Sequence, residues 1–269
     1  MNDLLSAFIL GLIEGITEFL PISSTGHLLI AERWLGARSD LFNVAIQAGA
    51  ILAIVVVYRQ RLRQLITGIA KPEQRDYALK LGLAFAVTAV LGLGVKALGI
   101  GLPSTLQPVA WALLVGGVLM LAAEYASAAP AIDEGREAPG ISWKVAALVG
   151  AAQVLAGVFP GTSRSAAAIF TALLFGRGSR VAATEFAFLV GIPTMFAATA
   201  FELLHVLKNG STSSEDWAAL AVALVTAALT AFAVVRWLLG YIQTHRFTVF
   251  SVYRILLGVS LLLFLGARA

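Results

Sequence analysis

The chain has no cysteine in its 269 residues. Disulfides, thiolate metal sites and thiol nucleophiles are therefore excluded, and any chemistry rests on oxygen and nitrogen groups. Charge is scarce as well: 13% of residues are Asp, Glu, Lys or Arg, against 59% hydrophobic. That balance does not suit a soluble domain and points to a polytopic membrane protein. No Gly-rich spacing of the nucleotide-loop kind occurs. The N-terminal apolar run has no basic lead-in, carries Glu14 and Glu18, and meets Pro21 without a small-residue cleavage site. It is expected to be retained rather than removed as a signal peptide.

What the chain has instead is long apolar runs, at about 41–58, 79–100, 106–124, 182–206, 217–239 and 249–266. Each is long enough for a hydrocarbon core roughly 30 Å thick, so six full spans are predicted. The net charge of +4 is explained by topology rather than by nucleic acid. Arg59, Arg61, Arg63, Lys71, Arg75 and Lys80 crowd one loop; placed in the cytoplasm, it puts Arg136, Lys144, Arg177, Arg180, Arg236, Arg246 and Arg254 on the same side by alternation. Arg33, Arg38, Lys96, Lys208 and Arg268 fall on the opposite side, a positive-inside pattern.

Residues 1–40 and 143–180 do not read as simple spans. Each is an apolar helical run broken by a Pro/Gly/Ser/Thr cluster and resumed as a shorter run, as expected of a re-entrant helix-loop-helix hairpin. LGLIEGITEFLPISSTGH superimposes on VGAAQVLAGVFPGTSRSA at an offset of 139, pairing Gly11 with Gly150, Glu14 with Gln153, Pro21 with Pro160 and Ser24 with Ser163. Three spans separate the hairpins, so the second half enters inverted. The expected fold is an all-α integral membrane protein: one membrane domain over 1–269, with six transmembrane helices and two re-entrant hairpins in an inverted-topology repeat of about 1–125 and 143–269. The hairpin tips then meet in one composite site.

Glu14 and Glu18 are four residues apart and share a helix face. A carboxylate within a membrane span costs on the order of 2.5–3.5 kcal/mol, and the second adds repulsion. A divalent cation, a buried Arg, or protonation of one Glu would each offset this. PISSTGH leads into a helix start, where backbone N–H groups and the hydroxyls of Ser23, Ser24 and Thr25, with Gly26 and His27 beside them, suit an anion such as phosphate. Ordinary capping by those hydroxyls is the plainer alternative. The second cluster, Gly161, Thr162, Ser163, Arg164 and Ser165, repeats the break and adds a guanidinium, whose planar fork matches phosphate and stays charged when desolvated. Arg164 has no acid in its own hairpin, so Glu14, Glu18 or an anionic ligand is its expected counter-charge. Glu124 and Glu202 read as interfacial, and Glu185 as a partner for the Arg177/Arg180 end. Gly92, Gly94, Gly116 and Gly117 read as close helix contacts.

These residues carry a resemblance. EGITEFLPISSTGHL, FNVAIQAGAILAIVVVY, PGTSRS, AATEFAFLVGIPTMFAATAFEL and HRFTVFSVYRILLG together make the chain similar, over nearly its whole length, to the undecaprenyl-diphosphate phosphatases of the bacitracin-resistance type. The resemblance implies hydrolysis of the terminal phosphate of a C55 polyprenyl diphosphate to the monophosphate carrier of peptidoglycan synthesis, assisted by Mg²⁺ or Ca²⁺. It implies a multi-pass protein of the bacterial cytoplasmic (inner) membrane, with the site opening to the periplasmic side. By the same resemblance Glu14 and Glu18 hold the metal or act as base, Ser24 is the proposed nucleophile, His27 the essential histidine, and Ser163 and Arg164 the diphosphate-binding pair. Attack by water or by His27 stays open beside attack by Ser24, and His27 serves as base or as acid. The chain departs from the family at Asn43, commonly an acid, and at Ala166, Ala167 and Ala168, where Gly-Ala-Thr is usual. The partners implied are the lipid substrate and membrane lipids, with no nucleic acid; a homodimer is left open. The competing function class is a transporter or flippase of an anionic lipid or other anion, since inverted repeats with broken helices also build transporters.

Overall fold

The computed structural model of the protein describes residues 3–99, 105–127, 140–176, 178–209 and 216–267. Arg136, Arg177 and Arg268, used above to orient the chain, lie outside the described residues. Among those described, the secondary structure is all helical. The elements are α1 (Asp3–Thr17), α2 (Ser24–Leu35), α3 (Asp40–Val57), α4 (Arg59–Thr67), α5 (Pro72–Ala97), α6 (Leu106–Ala126), α7 (Trp143–Val158), α8 (Arg164–Gly176), α9 (Arg180–Asn209), α10 (Trp217–Thr244) and α11 (Thr248–Gly266).

Six of them, α3, α5, α6, α9, α10 and α11, are long and apolar enough to cross a membrane. They are the six spans expected from sequence. Their starts follow local chemistry: Ser39 accepts from the Phe42 amide, Asp216 from those of Ala218 and Ala219, and Pro72 opens α5, where a missing N–H costs nothing. Helix α4 was not anticipated. Its Arg, Gln and Leu residues are good helix formers, and the segment read only as a basic loop winds into a short polar helix after Tyr58.

The short helices form two broken pairs, α1/α2 and α7/α8, interrupted over 18–23 and 159–163. Each first arm packs on a span from the other half of the chain: α1 against α10, and α7 against α5. The contacts are made by glycine. A Cβ on Gly11 would lie 2.4 Å from the Ala223 carbonyl oxygen of α10, and one on Gly150 would lie 2.4 Å from the Ala84 carbonyl oxygen of α5. Gly116 and Gly117 also make close contacts, against Arg254, Ile255 and Ser251 of α11. Gly92 and Gly94 do not, having nothing within 4 Å of an added Cβ, because they face outward on α5.

Gly11→Ala and Gly150→Ala should each lower stability by about 1–3 kcal/mol through overpacking. Gly240→Ala, with open space around it, should gain slightly from helix propensity. Thermal unfolding of the three variants in detergent checks the opposite signs; equal shifts would refute the close approach.

Candidate active site

The two breaks are built alike. Ser23 (φ 73°) and Ser163 (φ 70°) are the only non-glycine residues with positive φ among those described. Each stands immediately before its helix with its hydroxyl accepting from an amide three residues on: Gly26 N to Ser23 Oγ at 3.3 Å, and Ala166 N to Ser163 Oγ at 3.2 Å. A serine in the left-handed region costs on the order of 1–3 kcal/mol, held here by surrounding contacts. This conformation corrects the repeat alignment. Ser163 corresponds to Ser23, not Ser24, and Arg164 takes the first helical place that Ser24 holds in the first break. The stretch from proline to serine is one residue longer in the second break, Pro160 to Ser163 against Pro21 to Ser23, and Gly161 (φ 97°) lies within it against the Val109 carbonyl.

Between the two breaks the side chains converge on Glu18. Its Oε2 accepts from Ser24 Oγ, and its Oε1 accepts from Arg164 Nη2 at 2.7 Å. Arg164 also reaches Gln47 Oε1 of α3 at 3.4 Å. Ser165 Oγ donates to the Leu20 carbonyl at 3.2 Å and shares a 3.1 Å hydrogen bond with Ser163 Oγ, tying the second break to the first. A narrow cleft opens beside the Glu18–Arg164 pair. Ile51, Phe188, Gly191 and Met195 give it apolar walls, and Gln153 adds a polar group.

Glu14 is fully buried, and neither of its carboxylate oxygens has a hydrogen-bond partner. Arg164 was expected to offset both acids. It contacts Glu18 alone and acts on Glu14 only electrostatically, because the Ser24 and Arg164 contacts both fall on the second acid. Two hard carboxylate oxygens without donors, next to a second carboxylate, suit Mg²⁺ or Ca²⁺. Among the described residues no third Asp, Glu or His joins them. Such a pair fits a Mg²⁺ that keeps waters and takes phosphate oxygens as its other ligands.

His27 points elsewhere. Nδ1 lies 2.7 Å from the Ser23 carbonyl oxygen and Nε2 lies 2.7 Å from the Tyr253 hydroxyl. Thr25 is exposed, Gly26 is buried against Val109 and Leu113, and Thr162 is half-buried with its carbonyl taken by Arg254. The structure thus gathers Glu14, Glu18, Ser23, Ser24, Gly26, His27, Gly161, Thr162, Ser163, Arg164 and Ser165 around the two breaks, and leaves only the Thr25 side chain facing outward.

Three participants were missed. Gln47 reads as an ordinary polar residue within a span, and Tyr253 carries no signal of its own. Arg254 was counted among the charges on the cytoplasmic side, but it is fully buried. Its guanidinium donates to the carbonyls of Pro21 (3.3 Å), Gly161 (2.9 Å), Thr162 (2.8 Å), Ala112 (3.0 Å) and Leu113 (3.5 Å). It thereby clasps both breaks to α6. An arginine seven residues into an apolar helix was the available signal, since buried charge in a span marks function. Two acids away from the site also differ from expectation. Glu185 pairs with Arg61 (2.9 Å) and Tyr77 (3.3 Å), because α4 brings Arg61 over it. Glu124, read as interfacial, is fully buried and pairs with Arg180 at 2.6 Å.

The family model described as bacitracin resistance protein BacA matches residues 7–260. An undecaprenyl-diphosphatase of Xanthomonas axonopodis pv. citri (strain 306) is 62% identical over 270 residues, covering 100% of both chains. One of Rhizobium etli (strain CIAT 652) is 60% identical over 262 residues, covering 97% of this chain and 96% of the relative.

Proposed function

Because the chain belongs to the bacitracin resistance protein BacA family, we propose that the composite site hydrolyses undecaprenyl diphosphate to undecaprenyl phosphate and inorganic phosphate. The activity is that of a polyprenyl-diphosphate phosphatase, returning the lipid carrier to cell-wall synthesis. The observation that carries the mechanism is the bridging of Glu18 between the Ser24 hydroxyl and the Arg164 guanidinium. A hydroxyl donating to a carboxylate, with a fixed cation on the other oxygen, is an activated nucleophile beside a phosphate-binding group.

Ser24 Oγ attacks the terminal phosphorus as Glu18 takes its proton. The anhydride P–O bond breaks and Glu18 passes the proton to the departing lipid monophosphate; water then cleaves the phosphoserine as the regenerated Glu18 carboxylate takes its proton and returns it to Ser24 Oγ, releasing inorganic phosphate. Arg164 keeps Nη2 on Glu18 and offers its remaining guanidinium N–H groups to the phosphate oxygens as negative charge spreads over them. The amides at the starts of α2 and α8, with the Ser163 and Ser165 hydroxyls, add donors for the diphosphate. A Mg²⁺ or Ca²⁺ held by Glu14 and Glu18 would supply further neutralisation of phosphate charge. Direct attack by water, with Glu18 as base, is the second route; an isolated phosphoserine at Ser24 distinguishes them. Transport would need the anion site but no hydroxyl held on a carboxylate, so the Ser24–Glu18 contact favours hydrolysis.

For the architecture, we propose that 1–40 and 143–180 are re-entrant hairpins in inverted repeats spanning about 1–125 and 143–269. The reading is supported by the reciprocal packing of α1 on α10 and α7 on α5, the matched Gly11 and Gly150 contacts, and the paired left-handed serines. We place the protein in the inner membrane with the site opening to the periplasmic side, on the positive-inside pattern. An impermeant thiol reagent applied to single-cysteine variants tests this, and labelling at position 67 from outside would reverse the orientation.

Phosphate release from polyprenyl diphosphate by purified protein in detergent, with and without EDTA, tests the activity. Ser24→Ala and Glu18→Gln should each lose about 10³-fold or more in kcat, and EDTA should suppress the wild type. Equal release by all proteins would overturn the catalytic assignment.

A further inference from the structure

We propose that Tyr253 is a positioning residue for His27, holding the imidazole in one tautomer and one orientation through its hydroxyl; this rests on the phosphatase reading above. The tautomer follows from the two ring contacts. Nδ1 faces the Ser23 carbonyl oxygen at 2.7 Å, and a carbonyl can only accept, so Nδ1 carries the hydrogen of the neutral ring. Nε2 therefore has the lone pair, and the Tyr253 hydroxyl 2.7 Å away donates to it. The two rings are nearly parallel, at 9° with centroids 5.7 Å apart, so the phenol fixes the plane of the imidazole as well as its edge.

The placement of Tyr253 is itself secured. Arg254, the next residue, is locked to three carbonyls of the two breaks and two of α6, which fixes the α11 backbone at this level. Tyr253 is 42% exposed, so its hydroxyl stands at an accessible edge where another O–H donor, an attacking water or a protonated phosphate oxygen, can replace it on Nε2. Ser24 is committed to Glu18. The lone pair of His27 Nε2 is thus reserved for a proton-bearing group of the reaction, water or a phosphate O–H, and Tyr253 keeps it aimed until substrate arrives. The charged group acting on His27 from α11 is Arg254. On the α6 side the neighbours of this turn are Val109 and Leu113, and on the α1 side Glu18 is held by Ser24 and Arg164.

The test is Tyr253→Phe, which keeps the stacked ring and deletes only the hydroxyl. Phosphate release from polyprenyl diphosphate is measured from about pH 5 to about pH 9 for the wild type, Tyr253→Phe, His27→Ala and the double variant. The expected result is a fall in kcat of up to about tenfold with KM unchanged, a displaced pH–rate limb, and no further loss when Tyr253→Phe is added to His27→Ala. A Tyr253→Phe enzyme with the wild-type kcat and pH profile, or losses that multiply in the double variant, would overturn the proposal. Should His27→Ala leave no measurable rate, the Tyr253→Phe pH profile decides alone. A wild-type protein that releases no phosphate would instead sink the phosphatase reading, and this one with it.

Discussion

An Arg164→Ala protein should release phosphate from polyprenyl diphosphate about a thousandfold more slowly than the wild type, with kcat carrying most of the loss. The arginine is the cation placed where charge develops on the phosphoryl oxygens, and Arg254 cannot replace it because carbonyls occupy its guanidinium. The substitution also strands Glu18, whose side chain is only 5% exposed. Removing one partner of a buried pair costs on the order of 3–5 kcal/mol, so a thermal shift is expected too. The two effects separate in the Arg164→Ala/Glu18→Gln double variant. Neutralising the stranded carboxylate should restore much of the melting temperature in detergent while activity stays lost. If activity returned with stability, Arg164 would be a structural counter-ion and nothing more.

Arg254→Met should produce the largest loss of stability, on the order of 3–5 kcal/mol. Methionine approximates the volume of the arginine stem but supplies no donor, leaving the carbonyls of Pro21, Gly161, Thr162, Ala112 and Leu113 without the guanidinium. Those carbonyls belong to both breaks and to α6, so the loss should loosen the Glu18–Arg164 contact and lower activity together with stability. Gly116→Ala offers an independent approach, because its Cβ would lie 2.1 Å from Arg254 Nη2 and push the guanidinium from its cradle. Unfolding midpoints in detergent for both variants give the check. Wild-type midpoints in both would mean that the carbonyl cradle holds nothing together.

The spans were legible because a 17–25-residue apolar run has few alternatives to crossing a bilayer, and α3, α6 and α11 begin and end within two residues of expectation. The breaks were legible for the complementary reason: Pro, Gly, Ser and Thr beside Glu and Arg are too costly at membrane depth to be incidental. Glu18, Ser24 and Arg164 were found this way, and the structure brings them into contact. The partner of each charge was less legible. Sequence distance says nothing of which carboxylate a guanidinium 146 residues away will meet, so Arg164 was shared between two acids and serves one. Glu185 was given to its sequence neighbours for the same reason. Arg254 was lost through bookkeeping by topology, in which a charge near a span end is taken to face water. Tyr253 could not be found at all, since a tyrosine in an apolar helix is ordinary until its hydroxyl is seen on His27.

The cross-chain packing has a consequence for how the molecule is made. Helix α1 rests on α10, Glu18 waits for α8, and Pro21 is secured by an arginine 233 residues downstream. As the chain emerges from the ribosome, its acidic first segment is made long before any of these supports exists. The nascent N-terminal half thus passes much of its synthesis with Glu18 lacking the guanidinium that meets it in the finished fold. Both breaks gain their arginine clasp only once α11 has been made, so the segment synthesised first is among the last to be secured.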